Sequence, residues 1–93
     1  MDKVIIVTGA SRGIGKEIAK TLSREGNIII ANYNKSEEDA RKLKEELEKE
    51  NLAIDIFKAD VSKREEAKEL VRFVLEKYKR IDVLINNAGI SEN

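Results

Sequence analysis

Four short apolar runs, Val4 to Val7, Ile28 to Ala31, Ala53 to Phe57 and Ile81 to Ile85, alternate with three longer stretches of helical periodicity. An unbroken β-branched run such as Val4-Ile5-Ile6-Val7 suits a strand buried on both faces, which is the situation of a parallel sheet covered by helices. The helical stripes are Ile14, Ile18, Ala19 and Leu22, then Ala40, Leu43 and Leu47, then Ala67, Leu70, Val71, Val74, Leu75 and Tyr78. Gly26 is expected to close the first helix in a left-handed cap, and Ser36 with Asp39 and Ser62 with Glu65 are expected to open the next two as capping boxes. The predicted order is therefore βαβαβαβ, an α/β class in one domain spanning residues 1–93.

Handedness converts this order into an architecture. Parallel crossovers are right-handed in nearly all cases. If strands one to three step in one direction, their two helices share a face; the third helix covers the other face only if strand four returns beside strand one. The predicted sheet is four-stranded and parallel, of order 3-2-1-4, with helices on both faces. A ligand crevice is expected where that order reverses, at the carboxyl ends of strands one and four. Gly9 to Gly15 and Asn86 to Gly89 flank it, and together they hold four of the five glycines.

Composition narrows the chemistry. The 18 basic and 18 acidic residues cancel, which gives no case for nucleic acid or an anionic membrane as partner. Cysteine and histidine are absent from the chain, which removes disulfides, thiolate catalysis and the usual zinc sets, so no metal site is expected. No apolar run reaches the ~20 residues of a membrane span, and Met1-Asp2-Lys3 opens directly into a strand; a cytoplasmic protein is expected. The charged run Arg41 to Glu50 is expected to be a solvated helix face.

Thr8-Gly9-Ala10-Ser11-Arg12-Gly13-Ile14-Gly15 sits between the first strand and the first helix. Glycines permit a sharp turn and close approach of the backbone, and the helix that follows presents unpaired N–H groups to an anion. A dinucleotide pyrophosphate is the expected guest. The plainer alternative is a tight turn that binds nothing. A P-loop does not fit: Gly15-Lys16 is preceded by Ala10 where that motif needs glycine, and is followed by Glu17 where it needs a hydroxyl.

The glycine run, Asp60-Val61 after the third strand and Asn86-Asn87-Ala88-Gly89 after the fourth together resemble the short-chain dehydrogenase/reductase family, most closely its β-ketoacyl-acyl-carrier-protein reductase branch. The resemblance covers the whole chain and implies half of a Rossmann doubly wound fold. It implies that Gly9, Gly13 and Gly15 hold the pyrophosphate, with Ser11, Arg12 and Ile14 lining it. Asp60 and Val61 would bracket the adenine, with the carboxylate meeting its amino group. Asn87, Ala88 and Gly89 would line the adenosine ribose and the central cleft. Asp60 as a simple turn former, and the asparagine pair as a tie between strand ends, are the structural alternatives.

Charge at the end of the second strand bears on cofactor choice. An acid there accepts from the ribose hydroxyls of NAD(H), whereas cations without an acid suit the 2′-phosphate of NADP(H). The chain has Asn32-Tyr33-Asn34-Lys35, with Glu37 and Glu38 farther on and Arg12 able to reach toward the same place. These residues favour NADP(H), unless Arg12 and Lys35 are ordinary surface cations. The family's proton donor is a tyrosine with a lysine four residues later. Here Glu37 follows Tyr33 and Asp82 follows Tyr78 at that distance, so no catalytic residue is expected within the chain and no turnover by it alone. Two further readings stay open: a stand-alone or engineered nucleotide-binding module, and a folding or assembly unit. Strand four would be an uncovered edge, through which the chain is expected to self-associate.

Overall fold

The computed structural model describes residues 2–88. Strand β1 (Val4–Val7), helix α1 (Gly13–Arg24), β2 (Ile28–Tyr33), α2 (Glu37–Lys49), β3 (Ile54–Lys58), α3 (Arg64–Tyr78) and β4 (Val83–Ile85) follow one another in strict alternation. All four strands are parallel, in the order β3-β2-β1-β4 that the handedness argument predicts. Val4 pairs with Ile28, and Val7 with Ala31 on one side and Ile85 on the other, so β1 is central and its carboxyl end adjoins that of β4.

The pleat divides the core in two. Ile5, Val7, Ile29 and Ala31 point to one face and pack with Ala19 of α1 and Leu43 and Leu47 of α2. Val4, Ile6 and Ile30 point to the other and pack with Leu70 and Val74 of α3. Leu43, Leu47, Ile29 and Ile30 are fully buried, and each contributes about 1.5–3 kcal/mol of transfer free energy. No helix among the described residues is long and apolar enough to cross a membrane.

Several local expectations change. Strand β2 runs on to Tyr33, so Asn32 and Tyr33 are buried strand residues rather than a loop. Strand β4 begins at Val83; before it, the Asp82 carboxylate leaves the ladder to accept the Val4 N–H at 2.8 Å. Gly26 does take the left-handed conformation after α1, with φ +92°. Neither capping box forms. Ser36 precedes α2 without a side-chain cap, and α3 starts after Lys63, with the Ser62 hydroxyl directed to Asp60 instead. Val71 and Leu75 share the period of the α3 stripe yet are 39% and 44% exposed, on a flank that no described strand covers. Leu84 on β4 is 59% exposed as well, at the edge of the sheet. The charged run on α2 is more than a solvated face. Arg24 of α1 bonds Glu46 and Glu50, and Lys20 reaches Glu46 at 3.0 Å, although such half-exposed pairs are worth only ~0–1 kcal/mol each.

The β3 edge carries a buried carboxylate. Asp55 accepts the Tyr78 hydroxyl and the Lys77 ammonium (2.8 Å) on the same oxygen, anchoring the end of α3 to that edge. Burial first, then the Asp55 hydrogen bond and charge, push the Tyr78 phenol above its ordinary pKa. A raised tyrosine pKa stabilises the fold below the unfolded value, near 10, and that stabilisation is lost as pH rises above it. Between pH 9 and 11, wild-type urea midpoints should therefore fall faster than those of Tyr78→Phe. The difference should reach at most about 1 kcal/mol because the phenol is partly solvated. Parallel curves for the two proteins would refute this account of Tyr78.

Candidate dinucleotide site

The crevice at the carboxyl ends of the strands is built by backbone groups held in place by four polar side chains. Thr8 closes β1: its N–H donates to the Ile85 carbonyl at 3.0 Å, its hydroxyl donates to Asn86 Oδ1 at 3.2 Å, and that hydroxyl accepts the Ala88 N–H at 2.9 Å. Asn87, 3% exposed, donates its amide to the Gly9 carbonyl at 3.0 Å. These bonds lock the two glycine-bearing loops together across the β1–β4 junction. Asn32 performs the same service on the other side. Its Oδ1 accepts the Gly9 N–H (3.3 Å), its backbone carbonyl accepts Ala10 N–H (2.8 Å), and its Nδ2 donates to Phe57 O (3.2 Å) and Ala59 O (3.0 Å). Asn32 thus joins β1, β2 and β3, and at 2% exposure its side chain is committed to those ties.

The glycine loop has the geometry of an anion cradle. Gly9 and Gly13 sit at φ +60° and +61°, which β-carbon-bearing residues adopt only with strain. Gly15 answers a different need. A Cβ there would come closer than 3.0 Å to both the Gly9 carbonyl oxygen and the Asn87 amide nitrogen, so only glycine lets α1 start against the end of β1. Helix α1 opens with no side-chain cap at Arg12 and no acid in its first turn, whereas α2 has Glu37, Glu38 and Asp39 there and α3 has Glu65 and Glu66. Its first N–H groups lack intrahelical partners and its positive dipole end is not neutralised by a nearby carboxylate, the electrostatic condition for holding a phosphate.

A cavity of about 280 Å³ adjoins this loop, bordered by Gly9, Asn34, Asp60, Val61, Ser62 and Ala88. A larger, mostly apolar groove of about 840 Å³ runs along Ile14, Ile18, Leu22 and Ile85, with Lys16, Glu17 and Thr21 also in its lining. The candidate site is assigned to the smaller one, where donors and acceptors converge. Asp60 is fixed within it. Its Oδ1 accepts the Ser62 hydroxyl at 2.6 Å and the Ser62 N–H at 3.1 Å, and its own N–H donates to Glu66 Oε1 at 2.7 Å. The Ser62 bonds hold the carboxyl below its ordinary pKa, with smaller contributions from the charges of Lys63 and Lys35.

The structure brings Gly9, Asn32, Asn34, Asp60, Val61 and Ala88 to this cavity. Gly13 and Ile14 border the larger groove, on the far side of the glycine loop, and Ile14 is 62% exposed. Arg12 and Lys35 are exposed, while Tyr33 is buried at the end of β2. Ser11 is 1% exposed, and its hydroxyl has no hydrogen-bond partner among the described residues. Gly89 lies outside the described residues. Sequence reasoning gave no role to Thr8 or Glu66, whose bonds support the site. A hydroxyl directly after the first strand and a glutamate in the first turn of α3 were the available signals.

Comparison with known proteins places this geometry. Residues 3–93 match the family model described as short chain dehydrogenase. The 3-oxoacyl-[acyl-carrier-protein] reductase FabG of Staphylococcus epidermidis is 40% identical over 93 residues, and the chain spans 38% of that relative's length. An actinorhodin polyketide ketoreductase variant with NADPH superposes with a TM-score of 0.85 at 37% identity, over 92% of this chain and 33% of the other. An alcohol dehydrogenase from the archaeon Thermococcus sibiricus, complexed with 5-hydroxy-NADP, gives a TM-score of 0.81 at 37% identity, over 88% of this chain and 35% of that one. With its sheet order, glycine loop and family match in agreement, the chain belongs to the short-chain dehydrogenase family.

Proposed function

We propose that this chain is the NADP(H)-binding portion of a carbonyl reductase. The observation that carries the reading is the uncapped, acid-free start of α1, packed against the end of β1 by Gly15. That arrangement suits the dinucleotide pyrophosphate, with Gly9, Gly13, Ile14 and Gly15 supplying the loop. Asp60 and Val61 border the adenine, and Asn87 and Ala88 line the ribose and the central cleft. The 2′-phosphate falls to Arg12 and Lys35, since β2 ends in Tyr33-Asn34-Lys35 without an acid. Glu37, the first acid after that strand end, is paired with Arg41 at 2.6 Å. Three structural neighbours carry NADP, NADPH or a derivative in their descriptions, which supports the same preference.

The bound cofactor would supply the hydride. Proton transfer needs a group that these residues do not offer. Tyr78 donates to Asp55, its pKa is raised rather than lowered, and Asp82 stands four residues on; Tyr33 is 7% exposed and followed at that distance by Glu37. We infer that the 93 residues alone bind cofactor without turnover. In a longer protein, the Staphylococcus relative points to a 3-oxoacyl-[acyl-carrier-protein] as the carbonyl substrate.

Calorimetric titration with NADP⁺, NAD⁺ and 2′,5′-ADP tests the binding. Saturable binding that favours the 2′-phosphate ligands is expected. Arg12→Ala and Lys35→Ala should each narrow the gap between NADP⁺ and NAD⁺ by about ten-fold. Equal affinity for the two dinucleotides would sink the NADP(H) assignment, and no heat at millimolar ligand from folded protein would sink the binding itself.

A further inference from the structure

We propose that Ser62 is a positioning residue for base selection, acting through Asp60. This rests on the reading of the cavity as an adenosine site. A carboxylate at a strand end has two oxygens and a freely rotating Cα–Cβ bond, so by itself it offers an incoming base no fixed acceptor. Here Ser62 removes that freedom by placing two donors, its hydroxyl at 2.6 Å and its N–H at 3.1 Å, on the same oxygen, Oδ1. Oδ2 has no hydrogen-bond partner among the described residues and is left to accept from a ligand. Glu66 fixes the other end of the residue, since its carboxylate holds the Asp60 N–H at 2.7 Å and so sets the turn from β3 into α3. Ala59 N–H, bonded to the Tyr33 carbonyl at 2.9 Å, ties that same turn to the end of β2.

The consequence is chemical selectivity. A fixed carboxylate oxygen accepts from the exocyclic amino group of adenine. It meets a carbonyl oxygen in hypoxanthine, where two acceptors face each other. The serine hydroxyl and N–H hold the carboxyl below its ordinary pKa, so it stays an acceptor to lower pH than a free aspartate would. Serine at this place does more than begin a helix. It converts a turn aspartate into an oriented acceptor.

The test compares NADP⁺ with its hypoxanthine analogue on the full chain by competition titration, for wild type, Ser62→Ala, Ser62→Thr and Asp60→Ala. Wild type should prefer the adenine ligand. Asp60→Ala sets the ratio of affinities that remains without the acceptor. Ser62→Ala should lower the adenine-to-hypoxanthine ratio by about five-fold toward that limit, and Ser62→Thr, which keeps the hydroxyl, should restore it. A variant that weakens both ligands equally would show a merely structural serine and overturn the proposal. So would wild-type binding with no preference between the bases. Failure of wild type to bind either ligand would instead overturn the dinucleotide reading on which the proposal rests. Circular dichroism of each variant separates these outcomes from unfolding.

Discussion

Gly15→Ala is expected to lower stability by about 2–4 kcal/mol and to abolish dinucleotide binding, although alanine in a helix interior normally gains about 1 kcal/mol over glycine. The new methyl would lie within 3.0 Å of the Gly9 carbonyl oxygen and the Asn87 amide nitrogen, two atoms already hydrogen-bonded to each other at 3.0 Å. Neither neighbour can step aside cheaply. Gly9 is held at φ +60° and tied through its N–H to Asn32, and Asn87 is 3% exposed. Overpacking of this kind costs about 1–3 kcal/mol, and a buried amide separated from its partner costs about 1–3 kcal/mol more, which together exceed the propensity gain. For a domain of 93 residues, whose total stability is roughly 5–14 kcal/mol, the loss is a large fraction. Urea midpoints check it. Gly13→Ala gives the contrast, because a Cβ there meets nothing within 4 Å and the cost is limited to the strain of φ +61°, about 1–2 kcal/mol. A Gly15→Ala protein as stable as wild type would mean that the α1–β1 contact is looser than this packing requires.

The sheet was legible because its evidence is local and repetitive. Val4-Ile5-Ile6-Val7 reads as a doubly buried strand with no knowledge of its neighbours, and the handedness of three crossovers leaves little choice of order. The residues that hold the crevice together were less visible because their partners are distant in sequence. Asn32 bonds residues 23, 25 and 27 positions away, and nothing in Asn-Tyr-Asn-Lys distinguishes a ligand contact from a tie between three strands. At α3 the chain offered Ser62 and Glu65 in capping spacing, but Asp60 competes for the serine. The hydroxyl then serves the strand end instead of the helix, and the helix opens one residue later, with Glu66 reaching back. Val71 and Leu75 show a further limit. Helical period identifies a flank as apolar, but it does not say whether anything packs against that flank.

Asn32→Asp is the smallest change expected to produce a large loss, about 3–5 kcal/mol, and it should be worse than Asn32→Ala. The substitution keeps shape and volume and exchanges one donor nitrogen for an oxygen. That nitrogen points at the carbonyls of Phe57 (3.2 Å) and Ala59 (3.0 Å), so the aspartate would set a buried negative oxygen against two acceptors. A side chain 2% exposed cannot swing out to water, and an uncompensated buried charge costs about 3–5 kcal/mol. Alanine would leave the two carbonyls and the Gly9 amide short of one partner each, without charge repulsion, and should cost about 2–3 kcal/mol. The ranking is the informative part, since a ligand-contact role for Asn32 predicts little effect of either change on urea stability. The aspartate penalty also has a sign in pH. The native environment disfavours the charged form, so its carboxyl pKa should rise above the ordinary value near 4, and the variant should regain stability as pH falls toward it. An Asn32→Asp protein whose deficit relative to wild type is the same at pH 5 and pH 8 would show that the carboxylate escapes the three-strand junction.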